Sequence, residues 1–183
     1  MANQFNALNE TLTRFIEAQH LFFVATAAPD GRVNVSPKGM DSLRVLGPNR
    51  LIWRNLTGSG NETAGHLAQI NRITLMWCSF TAKPMIMRIY GTAKTLHHRD
   101  AQFDDLNARF EPHVGTRQVY DVSFDLVQTS CGYAVPFMDY AGERPVLDTW
   151  TENKGAEGVA AYWESKNQQT IDGAPTYILK PAT

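Results

Sequence analysis

Residues 56–67, LTGSGNETAGHL, set two glycines around a serine, follow them with a polar triplet and run on into residues that favour a helix. A glycine turn that opens a helix leaves backbone N–H groups unpaired and lets them approach a ligand closely, so the stretch is a candidate anion cradle. Gly58 and Gly60 supply the close approach, and Asn61 and Thr63 carry side-chain donors. The same residues spell a capping box, Ser59-x-x-Glu62, whose side chains would satisfy those N–H groups internally. Taken by themselves, the residues leave both readings open. Two nucleotide motifs are incomplete. No lysine with a following serine or threonine finishes a Walker loop, and Gly58-x-Gly60-x-x-x-Ala64 is followed by no Asp or Glu between residues 63 and 99, where a Rossmann unit needs a ribose-binding acid.

That acid-free window holds five cations, Arg72, Lys83, Arg88, Lys94 and Arg99, and would favour an anion on its side of the molecule. A second polar cluster is RVNVSPK, residues 32–38, with Asn34 and Ser36 on one face of a strand and Lys38 just beyond. Such a strand can hydrogen-bond a polar ring edge or sugar-like chain while the lysine reaches a phosphate; the plainer reading is a solvated strand with a surface lysine. His66, His97 and His98 read as packed or surface residues, and the adjacent pair 97–98 would point to opposite faces of a strand and share no metal. Trp77, Tyr90, Tyr133 and Phe137 read as core before pocket wall.

The elements that must position these groups follow from periodicity. Leu8, Leu12, Phe15 and Ile16 recur at helical spacing, with Asn6 or Asn9 as cap, giving a helix over 6–19. Strands over 21–27 and 32–36 flank Pro29-Asp30-Gly31, and strands over 42–46 and 50–56 flank Gly47-Pro48-Asn49, so each pair reads as a hairpin. A short helix over 63–70 precedes strands at 73–80 and 85–96, the latter bent at Gly91; a helix at 98–110 and a strand at 117–131 follow. A helix-like segment over 145–166 is interrupted by Gly155 and Gly158. The result is a mainly β chain with flanking helices (α+β), an antiparallel barrel of six to seven strands.

Composition agrees with one domain over residues 1–183, with 140–183 as a C-terminal helical extension. A net charge of −1 gives no overall pull toward nucleic acid or anionic lipid, and the longest apolar run is too short to span a bilayer. Cys78 and Cys131 lack CxxC spacing and read as buried thiols in a reducing, cytoplasmic compartment.

Together these stretches resemble the pyridoxamine-phosphate-oxidase-like family of flavin-binding split barrels. The resemblance runs through FFVATAAPDGRVNVSPKG, LIWRNL, GSGNETAGHLAQINRITLMW and MIMRIYGTAKTL, and continues in CGYAVPFMDYAGER and YWESKNQQTIDGAPT. It implies a homodimer holding FMN between subunits and a small-molecule substrate. Val33, Asn34, Val35 and Ser36 would lie along the flavin ring and ribityl chain, and Lys38 would serve the phosphate. Gly60, Asn61, Glu62 and Thr63 would contact that phosphate, Trp53 and Asn55 would flank the cofactor, and Arg88 would lie near the flavin. The chain departs from the pyridoxamine phosphate oxidases at Val33 and Glu62-Thr63, where they carry basic residues, and at Ile86, where they carry a flavin-contacting glutamine. The implied activity is that of an FMN-dependent oxidoreductase; the alternatives are a deazaflavin or haem binder on the same fold and a non-catalytic flavin-binding or ligand-sensing module.

Overall fold

Hairpins joined by pairings between strands far apart in sequence build the sheet. The computed structural model describes residues 2–179. Its elements are β1 (Asn3–Phe5), α1 (Glu10–Glu17), β2 (Phe22–Thr26), β3 (Asn34–Lys38), β4 (Leu43–Gly47), β5 (Arg50–Leu56), α2 (Glu62–Gln69), β6 (Ile73–Cys78), β7 (Ile86–Leu96), α3 (Phe103–Asn107), β8 (Thr116–Ser130) and α4 (Val146–Lys166). Every pairing between them is antiparallel, in the order β3-β2-β6-β7-β8-β5-β4, with β1 added on β8. The sheet curls without closing, because β3 and β4 end the path and are not paired with each other. This is the expected antiparallel architecture with flanking helices, with β1 raising the strand count to eight.

The curled sheet wraps a core of Val24, Leu51, Trp53, Leu75, Trp77, Met87, Ile89, Tyr120 and Val127, closed off by Leu12 and Ile16 of α1 and Leu67 of α2. A second cluster on the far side of β5, β7 and β8, including Ile52, Leu96 and Val119, is covered by Phe103 and Leu106 of α3 and by Phe110. Asn9, one of the two residues read as caps, starts α1 by accepting the Leu12 N–H at 3.0 Å.

Several boundaries differ from the periodicity for identifiable reasons. The first helix begins later because Asn9 and not Asn6 is its cap; ahead of it residues 3–5 pair with β8, Asn3 facing Thr129 and Phe5 facing Val127. The turn before β3 is wider because Asp172, far along the chain, accepts from the Arg32 backbone N–H at 2.7 Å and ion-pairs its guanidinium. The helix expected at 98–110 shrinks to α3: His98 Nε2 is bonded to the Thr116 carbonyl at 2.8 Å and Asp100 accepts the His97 N–H at 2.8 Å, which fixes the preceding residues as turns. Cys78 is buried as expected, whereas Cys131 is exposed because β8 ends one residue before it. Tyr133 and Phe137 lie on that same exposed connection rather than in the core, while Trp77 is core.

Gly91 sits at the bulge where β7 bends over β8, with Tyr90 facing Leu126 and Gly91 facing Phe124. A Cβ there would strike the Ser123 carbonyl oxygen and lie 2.7 Å from Phe124 Cα, both of them backbone atoms. Gly91→Ala is therefore expected to destabilise the protein by about 2–3 kcal/mol in urea unfolding; a change below a few tenths would mean that β8 yields freely.

Candidate functional site

The polar groups that the sequence singles out meet where the sheet fails to close. Asn34, Ser36 and Lys38 share the inward face of terminal strand β3, opposite Thr26, Val24 and Phe22 on β2. Across the opening stand Trp53 and Asn55 of β5 and the loop that leads into α2. They enclose a cavity of about 350 Å³, lined by β3, β5, the 58–63 loop and Arg117 of β8. Nine predicted site residues line it: Asn34, Ser36, Lys38, Trp53, Asn55, Gly60, Asn61, Glu62 and Thr63. Val33 and Val35 face the other way and are 70% and 60% exposed, and Arg88 lies outside the cavity on β7, between Met76 of β6 and Gln128 of β8.

Arg117 is the residue that sequence reasoning missed. Asn55 faces Gln118 and Leu56 faces Thr116, so Arg117 is the extra residue of a bulge and has no partner on β5. Bulges re-aim side chains; strict alternation would put Arg117 with Val119, yet it lines the same cavity as Asn55. The sequence carried no local signal for it, since Thr116-Arg117-Gln118 reads as the polar start of a strand, and only the structure shows residues 116–120 to be buried.

The electrostatics are unusual for a protein interior. Arg117 is only 3% exposed, and its Nε has no hydrogen-bond partner among the described residues. Its Nη1 donates to Asn167 Oδ1 at 2.8 Å and to the Gly58 carbonyl at 3.2 Å, both neutral acceptors. Burial lowers its pKa to about 10, which leaves it charged at neutral pH. Lys38 Nζ stands 5.2 Å from the Trp53 ring centroid, and burial, followed by repulsion from Arg117, brings its pKa down to about 8. Neither cation forms an ion pair among the described residues. Glu62, the one acid among the described residues of the lining, directs both carboxylate oxygens at the Ile171 N–H, 3.1 Å away.

That contact also settles the loop. The capping box does not form: α2 starts from Asn61, whose side chain caps no N–H of the helix, and Glu62 faces the C-terminal tail instead of Ser59. Asn61 instead donates from Nδ2 to the Asn167 carbonyl at 3.1 Å, and its Oδ1 is buried without a partner among the described residues. The first turn of α2 thus faces the cavity without a side-chain cap, and a helix N-terminus favours an anion. The five cations of the acid-free window contribute nothing here, since none of them lines the cavity. Lys94 and Arg99 border a larger cavity of about 830 Å³ elsewhere, beside His97. There Lys94 donates to Gln102 and Arg99 to the Tyr177 and Ile178 carbonyls, and burial holds His97 neutral with a pKa of about 4. His66 ties α2 to β2 through Thr26, with Nδ1 3.1 Å from the hydroxyl oxygen.

The depressed pKa of Lys38 has a thermodynamic signature. Between about 8 and 10.5 the unfolded chain holds a proton that the folded one lacks, so this group adds stability as pH rises through that window. Lys38→Met is expected to remove that rise from the pH profile of urea unfolding without ligand; an unaltered profile would refute a desolvated ammonium.

Comparison with known proteins agrees with this fold. The family profile described as pyridoxamine 5'-phosphate oxidase matches residues 8–131. The pyridoxamine 5'-phosphate oxidase family protein ustO of Aspergillus flavus is 34% identical over 191 residues, spanning 93% of this chain and 76% of the relative. Among solved structures, a candidate pyridoxamine 5'-phosphate oxidase from Lactobacillus delbrueckii superposes with a TM-score of 0.55 at 23% identity, over 67% of this chain and 94% of that one. HupZ of Group A Streptococcus superposes with a TM-score of 0.51 at 19% identity, over 65% and 91%. At those identities the two structures speak for the fold alone. The match over most of the chain and the fungal relative decide the family: this protein belongs to the pyridoxamine 5'-phosphate oxidase family.

Proposed function

We propose that the protein is an FMN-dependent oxidoreductase that acts as a homodimer on a small molecule. The observation that carries this reading is the cavity itself: two cations, Arg117 and Lys38, without acidic partners among the described residues, beside a helix start that lacks a side-chain cap. Buried charge without a partner is costly, and a bound phosphate supplies both the counter-charge and acceptors for the orphaned Arg117 Nε. Members of this family often bind flavin. The residues fit such a group: Arg117, Lys38 and the N–H groups around Asn61 and Thr63 would hold the phosphate, and Asn34 and Ser36, already joined by a 2.9 Å hydrogen bond, would face the ribityl hydroxyls. Flavin supplies hydride or electron transfer when bound, and the protein's part is to hold it, orient it and exclude competing reactions. FMN is favoured over haem because the cavity lining, among the described residues, holds no histidine, cysteine or methionine to ligate iron. The substitutions at Val33, Glu62-Thr63 and Ile86 favour a substrate other than pyridoxamine phosphate.

The outward side of β3 supports a second copy as the partner: Val35 on that strand and Val33 just before it are both more than half exposed, apolar surface that a subunit interface would cover next to the cofactor, and Tyr133, Phe137 and Met138 on the connection after β8 are exposed as well. A cytoplasmic setting accords with two free cysteines, Cys78 and Cys131.

FMN titrated into purified protein should quench and stay bound through desalting, and Arg117→Met should weaken it roughly thirtyfold. Absence of quenching in the wild-type protein would end this reading. Val35→Lys should shift the sedimenting species toward monomer; an unchanged dimer would place the interface elsewhere, and a wild-type monomer would refute the dimer.

A further inference from the structure

Asn167, the residue after α4, has no exposed surface, and every polar group of its side chain is engaged. Its Oδ1 accepts from Arg117 Nη1 at 2.8 Å, and its Nδ2 donates to the Gly58 carbonyl at 3.0 Å and the Ser59 carbonyl at 3.4 Å. Its own carbonyl accepts from Asn61 Nδ2 at 3.1 Å and from the Thr176 hydroxyl at 2.6 Å. Arg117, Gly58, Ser59 and Asn61 all line the cavity, so one side chain beyond the sheet braces both its buried cation and its loop.

The chemical identity of that brace matters. A buried arginine is ordinarily met by a carboxylate, which gives the stronger bond and cancels the charge. Here the partner is the neutral amide of nearly the same shape. It fixes one arm of the guanidinium while the full positive charge stays available to whatever enters the cavity. We propose that Asn167 is a positioning residue that keeps Arg117 aimed and uncompensated, and so sets the preference of this cavity for a phosphorylated flavin over its unphosphorylated form. The inference rests on the flavin reading above and adds to it the residue that makes the site selective for phosphate.

The competing role for Asn167 is anchorage alone, since Nδ2 also ties down the loop. Two variants separate the roles. Both variants remove the Nδ2 anchor on the Gly58 and Ser59 carbonyls; Asn167→Ala also removes the brace and adds no charge, whereas Asn167→Asp keeps the shape and places an anion on Arg117. FMN and riboflavin, which share the ring and ribityl chain and differ in the phosphate, are titrated into wild type and both variants by fluorescence quenching. The wild type is expected to prefer FMN. Asn167→Ala should weaken FMN about tenfold and Asn167→Asp about a hundredfold, with riboflavin nearly unchanged in both. Equal loss of FMN in the two variants, or parallel loss of FMN and riboflavin, would reduce Asn167 to an anchor and overturn the inference. A wild type that binds both flavins equally would overturn it while leaving the flavin reading intact; one that binds neither would remove both. Where Asn167→Asp does not fold, Asn167→Ala is set against Arg117→Met: it should retain part of the FMN preference that Arg117→Met abolishes, and equal abolition would overturn the proposal.

Discussion

A guanidinium withdrawn from water, with no carboxylate partner among the described residues, is the constraint around which the rest of this structure is arranged. Isolated charge in a low-dielectric interior is tolerated only where neighbouring dipoles solvate it and a ligand of opposite sign completes it. Arg117 meets the first condition through Asn167 and the Gly58 carbonyl. The second is left to the cavity. Lys38, held above the Trp53 ring, adds a second cation to the same cavity, and the repulsion between them is one reason its ammonium is weakened. In the absence of an anion the folded chain therefore carries stored electrostatic strain at one place, which a phosphate would relieve.

The open sheet makes that arrangement attainable. In a closed barrel the inward residues of β3 would be packed against apolar neighbours, and Asn34 and Ser36 would be buried polar groups in a hydrocarbon core. Because β3 and β4 end the sheet unpaired, the inner face stays apolar through Val24, Leu75 and Trp53 and turns polar only at the gap. Behind the gap, Asn55 donates to Gln118, and Gln118 accepts from Tyr120 as well, so the wall of the cavity is itself a hydrogen-bonded layer. The tail then closes the loop side, with Glu62 held on the Ile171 N–H and Trp163 donating to Thr57.

Much of this was legible in the sequence because period-two patterns and turn residues are local signals. The β2–β3 and β4–β5 hairpins, the bend at Gly91 and the kink at Gly155 all lie where alternation and glycines put them. Six of the nine lining residues, Asn34, Ser36, Lys38, Gly60, Asn61 and Thr63, were legible from residue type and spacing on β3 and in the run from the β5–α2 loop into α2, whereas Trp53, Asn55 and Glu62 entered through the family resemblance. What escaped was non-local. A bulge in β8 shifted Arg117 out of the face its position implies, and nothing within a few residues of it announces that shift. Ser59 and Glu62 have capping-box spacing, but the tail more than a hundred residues on competes for the same carboxylate and wins. The acid-free window misled because linear clustering of Arg72, Lys83, Arg88, Lys94 and Arg99 does not survive folding onto different strands, faces and loops.

The kink in α4 has its own consequence. Gly155 has φ 63°, a backbone region that side-chain-bearing residues rarely adopt, and it divides the helix into two rods. The first rod carries Leu147 and Trp150 beside Lys38 and Met40; the second carries Trp163 and delivers Asn167 to Arg117. The distance from hinge to brace is thus metered in residues. One inserted or deleted amino acid between them would rotate the end of the second rod by about 100° and swing the amide off the guanidinium. Drift in this part of the chain should therefore favour substitution over changes in length, even where the exposed side chains themselves are free to vary.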